Sequence, residues 1–259
     1  MPTFEASDGV PINYIVEGEG PEIVLVHGFA SNLQANWRGP AIVDALVASG
    51  RRVIALDCRG HGRSGKPHDP ALYGFVRMGN DVIQLMDHLH VRQADLAGYS
   101  MGGFISAGLL VRHPERWRSV ILAGVGDAVV DGSRSRDVAD AIARAMTAEA
   151  GGRLEGELAR GFRLFAERSG NDLQALAAMQ RGPRQTFDAG ALGRVTLPVM
   201  VLVGTGDTII RSADRLAATV PGATYVKLEG DHLTVVGNPL FKQAIVDFLA
   251  EHSPVPAIS

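Results

Sequence analysis

The residues most able to do chemistry lie in the pentapeptide 98–102 (GYSMG), which directly follows a short apolar run. This G-x-S-x-G pattern is typical of a nucleophile elbow, a sharp turn between a strand and a helix that presents a serine hydroxyl. The serine of such a turn has a strained backbone, and side chains two residues before and after it would collide. Because the chain has 31 glycines, such a pentapeptide can occur by chance, and it is informative only together with the elements around it. With a strand before it and a helix after it, the pattern predicts that Ser100 is a nucleophile.

A serine hydroxyl is a weak nucleophile until a base takes its proton, and that base needs an orienting acid. The best base is His232, in a loop between the last predicted strand and the last predicted helix. The best acid is Asp207, in the loop 204–207 (GTGD) that follows the apolar run Val199 to Val203. The order Ser, Asp, His along the chain is the order that nucleophile-elbow enzymes use.

Two other carboxylates compete with Asp207 for the role of acid. Asp127 follows the apolar run Val120 to Ala123, so it also lies after a predicted strand. Asp231 is adjacent to His232 and would have difficulty reaching back to orient its ring. Asp207 is the favoured acid, and Asp127 remains the alternative.

A turn early in the chain could supply the hydrogen-bond donors that such a site needs. His27-Gly28-Phe29 lies where the apolar run Glu22 to Val26 ends, and the glycine allows the loop to fold tightly over the sheet edge. The backbone N–H groups of Phe29 and Met101 can then form an oxyanion hole. His27 itself is expected to shape this loop rather than to carry protons.

The elements that must position these residues are short apolar runs alternating with helical patterns. Such runs indicate parallel strands buried on both faces, and their alternation with helices predicts right-handed crossovers and a doubly wound, mostly parallel α/β sheet. An antiparallel hairpin is expected at the amino terminus. The predicted strands are Phe4 to Ala6, Val10 to Val16, Glu22 to Val26, Arg52 to Leu56, Ala94 to Gly98, Val120 to Ala123, Val199 to Val203 and 224–228, and the last predicted helix is Phe241 to Leu249.

The alternation stops between about Asp127 and Phe187, where three helical patterns occur without a strand. We expect this segment, 127–187, to be a helical lid inserted into one core domain made of 1–126 and 188–259, above the carboxyl ends of the strands. Asn171 and Gln174 are expected to cap its third helix. Ser253 to Pro256 is expected to be a frayed tail. The candidate substrate-pocket residues are His27, Met146, Phe162, Phe165 and Leu233.

The composition describes an ordinary globular chain and excludes some partners. A net charge of −3 offers no basic surface for nucleic acid or for an anionic membrane. No apolar run approaches the ~20 residues that span a bilayer. Met1 to Gly9 lacks the pattern of a secretory signal, and the single cysteine, Cys58, forms no intramolecular disulfide. A cytoplasmic protein is the expectation.

Taken together, the motifs resemble the α/β-hydrolase family over nearly the whole chain. The resemblance implies a hydrolase without cofactor or metal, with Ser100, Asp207 and His232 as its catalytic triad. It implies a small-molecule substrate and water as the partners. The segments that carry it are 27–28 (HG), 57–64 (DCRGHGRS), 98–103 (GYSMGG), 204–207 (GTGD) and 230–232 (GDH).

Within that family, the residue types at the site narrow the reaction. Haloalkane dehalogenases and epoxide hydrolases attack with aspartate, whereas this chain has Ser100. Hydrolases of C–C bonds tend to carry an aromatic residue just after the base, where this chain has Leu233. Small carboxylesterases and enol-lactonases fit as well as any other class, and we predict hydrolysis of a small carboxylic ester or lactone through an acyl-enzyme. C–C bond hydrolases, cofactor-free perhydrolases and ligand receptors with a slow triad remain alternatives.

Overall fold

One eight-stranded sheet runs through the part of the chain that the computed structural model describes, residues 1–131, 136–149, 154, 156–183 and 188–255. Its spatial order is β1-β2-β4-β3-β5-β6-β7-β8. β2 runs antiparallel to both of its neighbours, β1 and β4. The six strands from β3 to β8 are parallel to one another. The strands are β1 Thr3–Glu5, β2 Pro11–Glu17, β3 Glu22–Val26, β4 Arg52–Leu56, β5 Ala94–Tyr99, β6 Trp117–Ala123, β7 Val199–Gly204 and β8 Thr224–Leu228.

The predicted strands are confirmed, with differences confined to their ends. β3 and β4 have the expected bounds, while β6 begins three residues earlier than Val120, at Trp117. Every residue of β5 and of β7 is buried. Strands covered on both faces need apolar side chains on both faces, which is why continuous apolar runs predicted them.

Helices cover both faces of this sheet. α1 and α8 pack on one face around Trp37, Leu46 and Phe241, whereas α2 and α3 pack on the other. The doubly wound α/β arrangement expected from the sequence is therefore present. The helices are α1 Ile42–Ala48, α2 Phe75–His88, α3 Met101–Arg112, α4 Arg136–Thr147, α5 Glu157–Arg168, α6 Leu173–Arg181, α7 Asp214–Thr219 and α8 Pro239–His252.

The chain reverses its direction of winding between β3 and β5. β3 pairs with β4 on one side and with β5 on the other, so the loops after β3 and β5 leave from neighbouring strand ends. Ligands of open α/β sheets bind at such a switch point, outside the carboxyl ends of the strands. Ser100 and Phe29 both follow strands that end at this position.

Helices α4, α5 and α6 form the insertion between β6 and β7. Arg163 of α5 is buried and donates hydrogen bonds to the carbonyls of Ala145 and Met146 at the end of α4, at 2.7 and 3.0 Å. This contact satisfies carbonyls that the helix end leaves without partners and locks the two helices together. The expected end of the insertion at Phe187 lies outside the described residues.

The expected cap of α6 is wrong by one residue. Asp172, not Asn171, is the N-cap, and its carboxylate accepts a hydrogen bond from the Ala175 amide at 3.0 Å. The Asn171 side chain instead donates to the carbonyl of Ala30 at 2.7 Å. Aspartate and asparagine cap helices about equally well, so sequence alone could not choose between these neighbours.

The tail after α8 does not fray at Ser253, contrary to expectation. Ser253 is buried, and its hydroxyl lies 3.0 Å from Asp95. Its carbonyl accepts a hydrogen bond from Arg51, and the Arg51 guanidinium also pairs with Asp95 at 2.8 Å. This buried ionic group lies at the amino ends of the strands, and Pro256 lies outside the described residues.

No helix in the described ranges is both long enough and apolar enough to span a membrane.

Candidate active site

The turn at Ser100 has the strained geometry that its neighbouring glycines permit. Ser100 lies between β5 and α3 with φ 53° and ψ −110°. A Cβ atom at Gly98 would lie 2.2 Å from the carbonyl oxygen of Gly102, and one at Gly102 would lie 2.0 Å from that of Val26. Any larger residue at either position would displace the backbone. The Ser100 amide donates to the Ala123 carbonyl at 2.8 Å, which ties the turn to β6.

The structure brings Ser100, His232 and Asp207 into one hydrogen-bonded chain. The Nε2 atom of His232 lies 2.8 Å from the Ser100 hydroxyl oxygen, and its Nδ1 atom lies 2.6 Å from Oδ2 of Asp207. A carboxylate at Nδ1 holds the proton on that nitrogen, which leaves Nε2 free to accept the serine proton. His232 and Asp207 are both buried, whereas Ser100 is half-buried at the carboxyl edge of the sheet.

Backbone contacts orient the acid and the base. The Oδ1 atom of Asp207 accepts hydrogen bonds from the amides of Ile209 and Ile210 at 3.0 and 3.2 Å, so Oδ2 remains for His232. The Tyr99 hydroxyl donates to the backbone carbonyl of His232. Tyr99 directly precedes Ser100 in β5, so the same strand end holds both the serine and the loop that carries the histidine.

The competing carboxylates make other contacts. Asp127 Oδ1 accepts a hydrogen bond from the Leu216 amide at 3.0 Å and thereby holds the start of the insertion against α7. Asp231 accepts from the amides of Leu233 and Thr234 at 2.8 and 2.9 Å. These bonds hold the Asp231 pKa below its usual range. Asp207 is thus the carboxylate that contacts His232 Nδ1.

Two unpaired amides lie on either side of the Ser100 turn: that of Phe29 in the loop after β3, and that of Met101 at the start of α3. Within the described ranges, no protein group accepts a hydrogen bond from the amide of Phe29 or of Met101. A Cβ atom at Gly28 would lie 3.4 Å from that of Ser100, so the loop runs directly against the serine. Two free amides next to a serine hydroxyl are arranged as donors that an oxyanion at that position would need.

Asn36 holds this loop and was not singled out from the sequence. Its side-chain oxygen accepts a hydrogen bond from the Gly28 amide at 2.9 Å. Asn36 is buried in the π-helical turn Gln34–Arg38, a rare geometry that is common near functional sites. No sequence pattern marks a turn of this kind, because its hydrogen bonds follow from the path of the surrounding backbone.

The predicted pocket residues lie in different environments. His27 is fully buried, and both of its ring nitrogens are taken by backbone groups, the Gly28 carbonyl at 2.7 Å and the Cys58 amide at 2.9 Å. The ring of His27 therefore presents no free polar atom to a substrate, in keeping with its expected role of shaping the loop. Met146 and Phe162 are buried, Phe165 is half-buried, and Leu233 is 61% exposed beside His232.

Burial of His27 and its neighbour His61 makes the fold sensitive to acid. Desolvation lowers the pKa of His27 to about 4 and that of His61 to about 3. In the unfolded chain both titrate near ~6.5. As pH falls below that value, the two histidines bind protons in the unfolded state but remain neutral in the folded state. The contribution of the two neutral histidines to the free energy of unfolding is therefore fully present above about pH 6.5. It is lost as pH falls toward about 4, by roughly 1.4 kcal/mol per pH unit for each histidine.

We expect His61→Asn to reduce this dependence on pH. Urea unfolding at a series of pH values between about 7.5 and 4.5 measures it, and the slope rather than the absolute stability is compared. The variant should show a shallower loss than the wild type across the acid range. Equal slopes in the two proteins would contradict the assignment of His61 as a buried neutral group.

No group of three or more His, Cys, Asp or Glu side chains in the described part of the chain is arranged to hold a metal ion.

Comparison with known proteins identifies the family. The model of the alpha/beta hydrolase fold family matches residues 21–184. The chain is 30% identical to 3-oxoadipate enol-lactonase 2 of Acinetobacter baylyi, over 92% of this chain and 94% of that protein. A hydrolase from Pseudomonas aeruginosa has a similar structure, with a TM-score of 0.78, 28% identity and coverage of 96% and 97%. The enol-lactonase from Burkholderia xenovorans aligns with a TM-score of 0.72, 27% identity and coverage of 96% and 100%. The chain therefore belongs to the alpha/beta hydrolase fold family.

Proposed function

We propose that this protein is a serine hydrolase that cleaves a small carboxylic ester or lactone through an acyl-enzyme. The observation that carries the proposal is the hydrogen-bonded chain from Asp207 through His232 to Ser100, at the edge of the sheet where ligands bind. Two unpaired amides beside the serine support it further. The similarity to an enol-lactonase over nearly the full length favours an ester or lactone.

In the proposed reaction, Ser100 attacks the substrate carbonyl while His232 accepts the hydroxyl proton. The amides of Phe29 and Met101 donate hydrogen bonds to the oxyanion of the tetrahedral intermediate, where one donor typically contributes ~3 kcal/mol. His232 then gives its proton to the leaving alkoxide. A water molecule, deprotonated by the same imidazole, hydrolyses the acyl-enzyme. Asp207 keeps the histidine in the required tautomer and stabilises the imidazolium.

The helices α4–α6 would act as a lid over this site. Their buried residues are mainly apolar, including Ile142, Phe162 and Leu176. The polar side chains of Asp127, Asp231 and His27 form hydrogen bonds with backbone groups. Substrate binding would then rest on apolar burial, at ~25 cal/mol per Å².

A series of p-nitrophenyl esters of increasing acyl length tests the proposal. We expect kcat/KM to be highest for short or medium acyl chains and to fall toward chains of ~16 carbons, because a pocket under a short insertion is small. A steady climb to the longest chain would contradict the small pocket and indicate a lipase.

Three further substrates and readouts separate the alternatives. A lactone series measures ring opening, a dienone measures C–C cleavage, and peracid formation measures perhydrolysis. An acyl-enzyme appears as a burst of p-nitrophenol followed by steady turnover. A stoichiometric burst without turnover would favour a ligand receptor, and preferred turnover of the dienone would favour a C–C bond hydrolase.

A further inference from the structure

The loop that carries the Phe29 amide lies between the core and the insertion. On the core side, Asn36 accepts from the Gly28 amide, and the Ser31 amide turns back to the Gly28 carbonyl at 3.2 Å. Ala30, which follows Phe29 in this loop, has φ 58°. A non-glycine residue in this left-handed region is strained, so surrounding contacts must hold it there.

The contacts on the opposite side of the loop come from α5 and from the turn that joins α5 to α6. The Phe162 ring packs edge-on against the Phe29 ring, with centroids 5.5 Å apart. The Asn171 side-chain amide donates a hydrogen bond of 2.7 Å to the Ala30 carbonyl. These two contacts lie on consecutive residues of the loop, on either side of the peptide unit that joins Phe29 to Ala30.

The end of α5 fixes the backbone of Asn171. Gly170, at φ 64°, donates to the Glu167 carbonyl at 3.1 Å, and the Asn171 amide donates to the Ala166 carbonyl at 3.0 Å. This pair of bonds is a Schellman motif, which terminates a helix with a defined backbone path. Asp172 then caps α6. Asn171 is therefore held in position between two helices of the insertion, and a shift of α5 would displace its side chain.

From these contacts we infer that Asn171 is a positioning residue for the oxyanion hole, and that it couples the placement of the helical insertion to the orientation of the Phe29 amide. This inference rests on the proposed function. Asn171 acts on the loop and not on the substrate. With the insertion packed as in the structure, Asn171 and Phe162 hold Phe29 and Ala30 in the conformation that directs the amide toward the developing oxyanion.

The first test measures the loop directly and does not depend on hydrolysis. Hydrogen exchange of peptides covering residues 26–33 is compared in the wild type, Asn171→Ala and Asn171→Asp. Faster exchange in both variants is expected, with a larger effect for the aspartate, whose carboxylate would repel the Ala30 carbonyl. Ser169→Ala is the matched control, because Ser169 is the C-cap of α5 in the same turn and, within the described residues, its hydroxyl makes no hydrogen bond to the loop. Unchanged exchange in 26–33 would overturn the inference, whatever the protein hydrolyses.

The second test measures the oxyanion hole by its chemistry. A thiono ester carries sulfur in place of the carbonyl oxygen and accepts hydrogen bonds weakly, so it gains little from the Phe29 amide. Removal of a whole donor lowers kcat by about 10²–10³, and a misplaced donor should cost on the order of 10-fold. We expect Asn171→Ala to lower kcat for the ester by about that factor, to change KM little, and to leave the thiono ester nearly unaffected.

The ratio of ester to thiono-ester kcat decides the outcome. A ratio that falls in Asn171→Ala and stays at the wild-type value in Ser169→Ala supports the inference. Equal losses on both substrates would assign Asn171 a purely structural role and overturn it. If the wild type hydrolyses neither esters nor lactones, the proposed function fails, while the exchange measurement still decides whether Asn171 holds the loop.

Discussion

Ser100→Ala is expected to remove hydrolysis almost completely, by a factor on the order of 10⁶ in kcat. Without the hydroxyl, His232 has no nucleophile to deprotonate, and an acyl-enzyme cannot form. The fold should persist, since Ser100 is only half-buried and the one partner of its hydroxyl within the described ranges is His232. The measurement is kcat on the best p-nitrophenyl ester, together with the midpoint of thermal unfolding.

Ser49→Ala is a suitable control for this experiment. Ser49 lies at the end of α1, and its hydroxyl donates to the Leu46 carbonyl at 2.8 Å, away from the carboxyl edge of the sheet. It should retain wild-type turnover. If Ser100→Ala kept more than about a tenth of wild-type kcat, the nucleophile would have to be another group.

Asp207→Asn is expected to lower kcat by about 10⁴, because an amide at this position can stabilise the wrong tautomer of His232. The amide oxygen can still accept from the amides of Ile209 and Ile210, so the loop should keep its shape. The loss should thus appear in kcat, with little change in the unfolding midpoint.

Asp127→Asn is the matched comparison for Asp207→Asn. Its amide oxygen can still accept the hydrogen bond from the Leu216 amide, so both stability and kcat should stay within a few-fold of the wild type. If Asp127→Asn abolished turnover while Asp207→Asn kept wild-type kcat, the catalytic acid would be the carboxylate after β6 and not the one after β7. Steady-state kinetics on both proteins, with the same ester, distinguishes the two assignments.

Much of the fold and the core of the candidate site could be predicted because they depend on local patterns. The elbow requires glycines at 98 and 102 within one turn, and a buried strand such as β7 requires a continuous apolar run. Each residue of the Ser100, His232 and Asp207 chain follows a strand of the same parallel sheet. Parallel strands bring their carboxyl ends to one edge, so these residues were expected to meet there.

The supports of the site could not be predicted in the same way, because they depend on distant contacts. The side chain of Asn171 donates to a carbonyl 141 residues away in the chain. Nor does residue type show that Asp172 rather than Asn171 caps α6, because aspartate and asparagine cap helices about equally well. Asn36 contacts an amide only eight residues away, but through a π-helical turn that has no sequence signature. The orientation of the His27 ring likewise depends on a distant contact, the hydrogen bond from the Cys58 amide 31 residues away.

We expect the buried ionic group at the amino ends of the strands to couple the unfolding of α8 to that of the sheet. Arg51 follows α1 and bonds Asp95 of β5, the Leu249 carbonyl of α8 and the carbonyl of Ser253. If α8 detached, the guanidinium and Asp95 would lose partners while still surrounded by protein, and an incompletely compensated buried charge is strongly unfavourable. The last turn of the last helix therefore behaves as part of the core, and shortening the chain to before Ser253 should cost cooperativity as well as stability.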